Sequence, residues 1–472
     1  MSVSLLPITI VPVKMFQENQ FRIKISHSLV HYWNIDLQMP HLLQIGKHTF
    51  QITIEGANIT KDELGFSEPL LQECCLPIED LHFVASYSRK DLTITAGPII
   101  GLMTDFNDNG EEPDFRSIHS FCEELHEVVS NMGGFFYVFH FRDFIAGSLH
   151  GYCLQDRKWI KSPVPLPSVI YNRIHSRILE ASTSFQSFKN SLIKLNIPVF
   201  NDRFLSKQEV HDLLFSEDHM QPYLPDTAIA NEQTIKDMLA RHRLLFLKPI
   251  HGSQGRNIIR LSLNGEEIMT ELSTGNGREN TINFKNYTRF VQWFQQYQRK
   301  SIFLAQQAIP LQTFKNRQLD FRVLCHKNFQ DIWKATSAVA RISAEQQFVS
   351  NIARGGEIMK PLRIFSLLSD QKTAVQQLAL LKELAVETAT IISQKCEGLV
   401  GELGIDIGLD TNGKLWIIEV NSKPSKNFED KEKRVRPSAK ALIEYATALS
   451  FIQKGGGLQH AFIRNHDIEQ TE

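Results

Sequence analysis

Neither a disulfide framework nor a zinc site is written into this chain of 472 residues. Its six cysteines are Cys74, Cys75, Cys122, Cys153, Cys325 and Cys396. None forms a C-x-x-C pair, and the adjacent Cys74-Cys75 suits a bridge framework poorly, so reduced thiols are expected. The 17 histidines are scattered without H-E-x-x-H spacing, which argues against a dedicated zinc site. There is no G-x-S-x-G elbow and no Walker loop, so hydrolase-elbow and P-loop chemistry are set aside. Net charge is missing too: Lys+Arg 51 against Asp+Glu 52 leaves −1, too little for bulk attraction to nucleic acid or an anionic membrane. No apolar run is long enough to span a bilayer. Met1 to Lys14 carries Pro7, Pro12 and no early basic cluster, unlike a signal peptide. The expected setting is therefore cytoplasmic, with neither nucleic acid nor membrane as partner.

What is present is an ordinary globular composition, 42% hydrophobic and 22% charged, and enough chain for two to four domains. Up to about residue 92, Phe21-Arg-Ile-Lys-Ile-Ser26 and Thr49-Phe-Gln-Ile-Thr-Ile54 alternate with period two, punctuated by Gly46 and Gly56, predicting short strands in a small β-barrel. Over residues 93–200 the pattern changes. A strand at Leu92–Met103, a helix at Phe115–Met132 and a buried strand at Phe135–Phe141 predict an α/β layer, followed by proline-rich extended chain and a strand at Val169–Arg173. Residues 201–457 form the third unit, and 458–472 are expected to be a tail. Here Ser206-Lys-Gln-Glu209 predicts a capped helix start. Gln371 to Lys395 predicts a long helix with Val375, Leu378, Leu381, Ala385, Thr388 and Ile392 on one stripe.

The most informative stretch is Gly401-Glu-Leu-Gly-Ile-Asp406-Ile-Gly-Leu-Asp410-Thr-Asn412-Gly413-Lys-Leu-Trp-Ile-Ile-Glu419-Val-Asn421-Ser-Lys-Pro424. Asn-Gly between apolar runs predicts a hairpin. A two-residue turn at Asn412-Gly413 pairs Thr411 with Lys414, and counting outward sets Asp406 opposite Glu419 and Gly404 opposite Asn421. Side chains two apart share a face, so Asp406, Glu419 and Asn421 converge. Facing carboxylates destabilise a ladder, and a hard cation such as Mg²⁺, which prefers oxygen ligands, removes the penalty. The competing interpretation is a surface hairpin with solvated acids. Metal binding is favoured because the polar trio occupies one face while Ile405, Ile407, Trp416, Ile418 and Val420 are read as buried.

A second segment, Leu244-Leu-Phe-Leu-Lys248-Pro-Ile-His-Gly252-Ser-Gln-Gly255, has a strand entering a glycine-containing loop and another strand, Ile258 to Leu261, leaving it. Such a loop covers phosphates as a hairpin flap, with backbone N–H groups close to the ligand. Lys248 sits at the strand end, within reach of a phosphate. Taken alone this segment is an ordinary hairpin with a surface lysine. Further along lie Phe303-Leu-Ala-Gln306-Gln307-Ala-Ile309-Pro, Asp320-Phe-Arg322, Arg341 and Asn351-Ile-Ala-Arg-Gly355-Gly356. Singly, each arginine is more often a surface or ion-pair residue than a catalytic one.

In this order, the pieces from Lys207 through Asn421 resemble the ATP-grasp superfamily. The closer likeness is to the YheC/YheD endospore coat-associated family. It is carried by Gly97-Pro-Ile-Ile-Gly101, Val169-Ile-Tyr-Asn-Arg173, Phe204-Leu-Ser-Lys207, Asp320-Phe-Arg-Val-Leu324 and Trp416-Ile-Ile-Glu-Val-Asn-Ser-Lys-Pro424. The resemblance implies an α+β class: a two-lobe ATP-grasp fold, with a flap at about 225–308, preceded by the α/β (pre-ATP-grasp) layer and the barrel-like domain. It implies ATP with one or two Mg²⁺ ions. Lys207, Lys248, Gly252, Ser253, Gln254 and Gly255 would hold phosphates, the hinge at Gln307 to Ile309 adenine, and Asp406, Glu419 and Asn421 metal. Arg322, Arg341 and Asn351 would carry catalysis. The implied reaction is ligation of a small-molecule or peptide carboxylate to an amine or thiol, through an acylphosphate, with release of ADP. The alternative it implies is a catalytically weak structural or interaction protein of the endospore coat, with coat components as partners. Phosphotransfer to a stable acceptor is a third reading. Where many relatives carry a hinge glutamate, this chain has Gln306-Gln307.

Overall fold

The computed structural model describes residues 5–14, 21–110, 112–145, 147–252, 257–273, 279–343, 356–426 and 435–451. Period-two strands at the start close into a barrel of seven. Its order is Leu6–Val13, Glu63–Ser67, Arg22–Ser26, His48–Ala57, His41–Ile45, Thr93–Gly97 and Leu81–Ser88. Ile23, Ile25, Leu43, Ile45, Ile52 and Ile54 point inward, as alternation requires. Thr93–Gly97 pairs with strands on both sides, so this stretch belongs with the barrel.

Ile99–Met103 begins the middle layer. All five of its residues are buried, the signature of a strand covered on both faces. It runs parallel to Phe135–Phe139 on one side and to Val169–Asn172 on the other, with helix His119–Met132 between the first two. One face of this layer shares a core with the barrel, through Tyr137, Phe139, Phe185 and Phe188. The other face packs Phe121, Leu125 and Tyr171 against Leu442, Ile443 and Tyr445. Those last three belong to Pro437–Phe451, so the final described helix is folded back into the middle of the molecule.

Two sheets form the remaining lobes. The flap sheet runs Thr227–Ile229, Phe303–Gln307, Leu244–Pro249, Ile258–Asn264, Glu267–Ser273, Glu279–Phe284 and has its own core. Its entering and leaving strands pair antiparallel, Leu247 opposite Ile259, which is the expected strand–loop–strand flap. The C-terminal sheet runs Glu357–Met359, Trp333–Ile342, Arg317–Lys327, Glu402–Leu409, Leu415–Asn421, over helices Pro361–Leu368 and Gln371–Lys395. In the long helix Leu381, Ala385, Thr388 and Ile392 are buried as the stripe predicts. Val375 is not; it is 51% exposed, because Ala374, one residue round the helix, faces the core instead. Among the described residues all six cysteines are free, and no helix is long and apolar enough to cross a membrane. The expected tail at 458–472 lies outside the described residues.

Candidate functional site

The hairpin near the C-terminus reaches its predicted register by an unpredicted route. Asp410 N–H bonds Lys414 O at 2.9 Å, so Thr411, Asn412 and Gly413 form a three-residue loop in place of a two-residue turn. Asp410 organises it: Oδ1 accepts the N–H groups of Asn412 and Lys414, and Oδ2 accepts Trp416 Nε1–H. Gly413 takes φ +84°, a left-handed conformation that glycine adopts without steric penalty. The longer loop slips the ladder by one, giving Ile407 opposite Ile417. A β-bulge at Ile418 then absorbs the slip and restores Asp406 opposite Glu419 and Gly404 opposite Asn421. The buried set shifts accordingly. Leu415 and Ile417 are buried, whereas Trp416 and Ile418, both expected inside, are half-buried. Gly404 has a packing reason: a Cβ there would lie 2.6 Å from Pro424 Cβ.

One face of the C-terminal sheet now carries a continuous row of charge. Arg341 lies opposite Asp320 and Arg322 opposite Asp406. Arg341 clasps Asp320 with bonds of 2.6 and 2.7 Å and reaches Asp406 Oδ2 at 3.1 Å. Arg322 forks onto both oxygens of Asp406, its Nη2 at 2.8 Å from Oδ2. Burial opposes the charge on Asp406, but the two guanidiniums outweigh it and hold its carboxyl below the usual range. Arg341 is pushed up against burial by Asp320 and Asp406.

Glu419 meets Lys207 instead. Ser206 caps the helix Lys207–Phe215 by accepting Glu209 N–H at 3.1 Å. The other half of the expected capping box is absent because the Glu209 carboxylate is forked onto Arg203 at 2.8 and 2.6 Å. This places Lys207 Nζ 2.5 Å from Glu419 Oε1 and 3.0 Å from Gly252 O, on the edge of the flap. Burial opposes ionisation of Glu419, and Lys207 overrides it, so the carboxyl is lowered. Lys248 donates to Gln306 Oε1 at 2.5 Å, and Gln306 Nε2–H donates to Thr227 Oγ1 at 3.1 Å. Burial lowers Lys248 to about 8, with Lys207 adding to the effect and Glu419 and Asp406 opposing it.

A cleft of about 530 Å³, counted with its opening to solvent, lies between the lobes. Lys207, Lys248, Gln306 and Glu419 line it, with Leu304 and Ile418 among its apolar walls. It thus joins residues from a helix, the flap and the hairpin, separated by up to 212 positions. Gln307 and Ile309 lie just outside this lining. Gln307 pins the hinge to the Asp226 turn, donating its N–H to Asp226 O at 2.8 Å and accepting Asp226 N–H on its side-chain oxygen at 3.3 Å; Ile309 O accepts Leu311 N–H. Ser253, Gln254, Gly255 and Asn351 lie outside the described residues. Thr227 and His211 line the cleft without having been singled out in the sequence, and Ile418, read there only as a buried residue, lines it too. Only Ile418 had a local signal, its place beside Glu419.

The donor chemistry suits a hard divalent cation. Among the described residues, no three His, Cys, Asp or Glu side chains gather as a metal group; the set here is two carboxylates and an amide. Asn421 Nδ2 is buried without a hydrogen-bond partner. A half-turn of the amide, which is indistinguishable by shape, would bring its oxygen to that position, where a cation would satisfy it. The acids are held meanwhile by Lys207, Arg322 and Arg341.

Residues 196–449 match the family model described as YheC/D like ATP-grasp. The chain belongs to that family. Among curated relatives, it is 29% identical over 367 residues to endospore coat-associated protein YheD of Bacillus subtilis (strain 168), covering 77% of this chain and 80% of the relative. It is 26% identical over 275 residues to YheC of the same organism, covering 57% and 73%. Among solved structures, D-cycloserine synthetase DcsG matches at 12% identity and TM-score 0.44, covering 75% of this chain and 98% of that one. The ATP-grasp ligase PsnB complexed with minimal precursor matches at 14% identity and TM-score 0.41, covering 73% and 98%. In ATP-grasp terms the flap sheet and the C-terminal sheet are the two lobes, and the cleft lies between them.

Proposed function

We propose that the protein is an ATP- and Mg²⁺-dependent ligase that joins a carboxylate to an amine or thiol through an acylphosphate and releases ADP. The observation that carries this reading is the convergence of Glu419 with Lys207 and Lys248 in one inter-lobe cleft, with Asp406 opposite Glu419 in the ladder. The cleft lining carries Lys207 and Lys248 against Glu419, and outside that lining Arg322 pairs with Asp406 and Arg341 with Asp320. Four cations against three carboxylates leave a surplus positive charge suited to polyphosphate. Asp406, Glu419 and Asn421 would hold Mg²⁺, which when bound supplies charge neutralisation and Lewis acidity at the phosphates. Lys207 and Lys248 then serve the phosphates as point charges. Arg322 and Arg341 present planar forks that match a carboxylate or a transferring phosphoryl group. The chemistry asks for positioning and electrostatics, with no nucleophilic side chain, in keeping with the absence of a nucleophile motif. Leu304 and Ile418, which line the cleft, would exclude water from a bound nucleotide.

The second reading is a catalytically weak coat protein that keeps the fold. It is favoured by the complete pairing of Asp406 with two arginines and by the neutral Gln306-Gln307 hinge. Endospore coat components as partners, and association with a spore coat beside a cytoplasmic location, enter through the relatives' names alone. The deciding experiment is acceptor-dependent ADP release from the full chain with Mg-ATP. A burst that disappears in Asp406→Asn supports the ligase; Mg-ATP binding without any burst supports the coat protein; failure to bind Mg-ATP removes the nucleotide reading altogether.

A further inference from the structure

The middle layer changes direction at the junction between Ile99–Met103 and Val169–Asn172. From the first strand the chain crosses through helix His119–Met132 to a parallel strand on one side, and only later returns to lay Val169–Asn172 along the other. Ile170 lies opposite Gly101 and Asn172 opposite Met103, so both strands end at the same level. Open α/β sheets bind ligands in the crevice at such a reversal, outside the carboxyl ends of the strands. Here those ends carry Thr104-Asp105 and Arg173-Ile174-His175.

This crevice touches the nucleotide site. Lys423, two residues beyond the metal hairpin, donates to Ile174 O at 3.2 Å and pairs with Glu180. Glu180 is further occupied by Asn172 Nδ2–H at 2.8 Å and Phe204 N–H at 3.2 Å. Against this matched background two side-chain groups stand without partners. The Arg177 guanidinium lies 4.4 Å from the centroid of the Phe204 ring; among the described residues it has no ion pair or hydrogen bond, although it senses the charges of Glu180 and Glu419. His175 is held at one end: its backbone N–H donates to Asp105 Oδ1 at 2.5 Å and Nδ1 lies 3.2 Å from the same oxygen. Asp105 is fixed in turn by Arg116 at 3.0 Å. The other ring nitrogen, Nε2, is buried and unpartnered. In the neutral tautomer that gives Nδ1–H to Asp105, Nε2 presents a lone pair.

We propose that this crevice binds the acceptor, and that the acceptor is amino-acid-like: Arg177 takes a carboxylate and His175 Nε2 accepts an N–H of its amino group. An isolated guanidinium stacked on an aromatic ring is suited to a planar carboxylate. A histidine oriented from behind by a carboxylate suits a donor N–H. Both act by positioning, and neither is asked to form a covalent bond. The inference rests on the ligase reading for the acceptor's role, though not for the existence of the subsite.

The test is thermal unfolding of the full chain with L-amino acids, D-alanine and glycylglycine as probes, each beside its carboxamide, with and without Mg-AMPPNP. The expected result is that at least one free acid raises Tm and its carboxamide does not. Arg177→Gln weakens that acid's apparent affinity by about tenfold or more while keeping the Mg-AMPPNP shift, and Arg177→Lys recovers part of the loss. His175→Asn weakens binding of amine-bearing probes. Absence of a shift with every probe overturns the proposal, as does a shift that survives in Arg177→Gln or is equal for the carboxamide. Should Arg177→Gln fail to fold, Arg177→Lys and the acid–carboxamide comparison on the unaltered chain decide. If Mg-AMPPNP gives no shift but the acids do, the ligase reading fails and the subsite stands.

Discussion

At the scale of single residues, the site's cations serve the protein itself before any ligand arrives. Asp406 is 5% exposed and is tolerated there because Arg322 and Arg341 surround it. Asp406→Asn keeps the shape but strips the countercharge from two buried guanidiniums. The expected loss is about 3–5 kcal/mol in urea unfolding, the range for breaking one side of a buried pair, together with loss of ADP release. Asn421 is the opposite case. Its buried amide nitrogen satisfies nothing in the fold, so Asn421→Leu is expected to leave stability unchanged or raise it by up to about 1 kcal/mol. The same change is expected to weaken Mg-AMPPNP binding about tenfold or more, in line with the sensitivity of metal sites to their oxygen donors. Calorimetry and urea melts on one variant separate the two effects.

Lys248 gives the cleft a pH dependence. Its neighbours are Gln306, Lys207, Glu419 and Asp406. The neutral Gln306 supplies a hydrogen bond and no countercharge, and burial brings the ammonium down to about 8. The folded state therefore binds fewer protons than the unfolded chain between about pH 8 and the normal lysine range. This group's contribution to stability rises with pH across that window. Phosphate binding runs the other way, since it needs the charge. Nucleotide affinity measured by calorimetry is expected to fall above pH 8, by at most about tenfold per unit. Lys248→Arg, charged throughout, is expected to flatten the profile.

At the scale of elements, the hairpin shows what can be read from sequence and what cannot. Alternation placed Asp406, Glu419 and Asn421 on one face, and the ladder has them there. The route was illegible: Asp410's three bonds lengthen the turn, and the bulge at Ile418 takes back the residue. Turn length and bulge each depend on side-chain contacts that period counting does not contain, and here they offset one another. The capped helix at Ser206 and the flap strands were legible because their signals are local. The charge row from Asp320 to Asp406 was half-legible. Asp320 and Arg322 share a face by alternation, but their partners on other strands follow from register alone. Gly413→Ala is expected to cost about 1–2 kcal/mol for its left-handed backbone. It should leave nucleotide affinity intact, because the bulge, not the loop, sets the Asp406–Glu419 pairing; urea melts alongside calorimetry check both halves.

At the scale of the whole molecule, cores do not follow the sequence divisions. The barrel shares its apolar interior with the middle layer, whereas the flap sheet has a core of its own. Removing residues 1–97 is therefore expected to yield insoluble or protease-sensitive chain, with Tyr137, Phe139 and Phe185 uncovered. The flap, by contrast, is expected to respond to Mg-AMPPNP as a rigid body: hydrogen exchange should slow along its cleft-facing strands with no change in its interior. Residues 196–449, although they match the family as a unit, are expected not to fold alone, because Leu442 and Tyr445 pack on residues that precede them; solubility and circular dichroism of that fragment provide the check.

The backward-folded helix Pro437–Phe451 also has a meaning in time. Phe121, Leu125 and Tyr171 leave the ribosome long before the residues that cover them. At about 5–20 residues per second the delay is on the order of 10–50 s. Throughout that interval a nascent chain carries an open apolar groove, so ribosomes that stop early release products fit for chaperone capture or degradation. Synthesis of Pro437–Phe451 is thus itself a checkpoint on this protein's assembly.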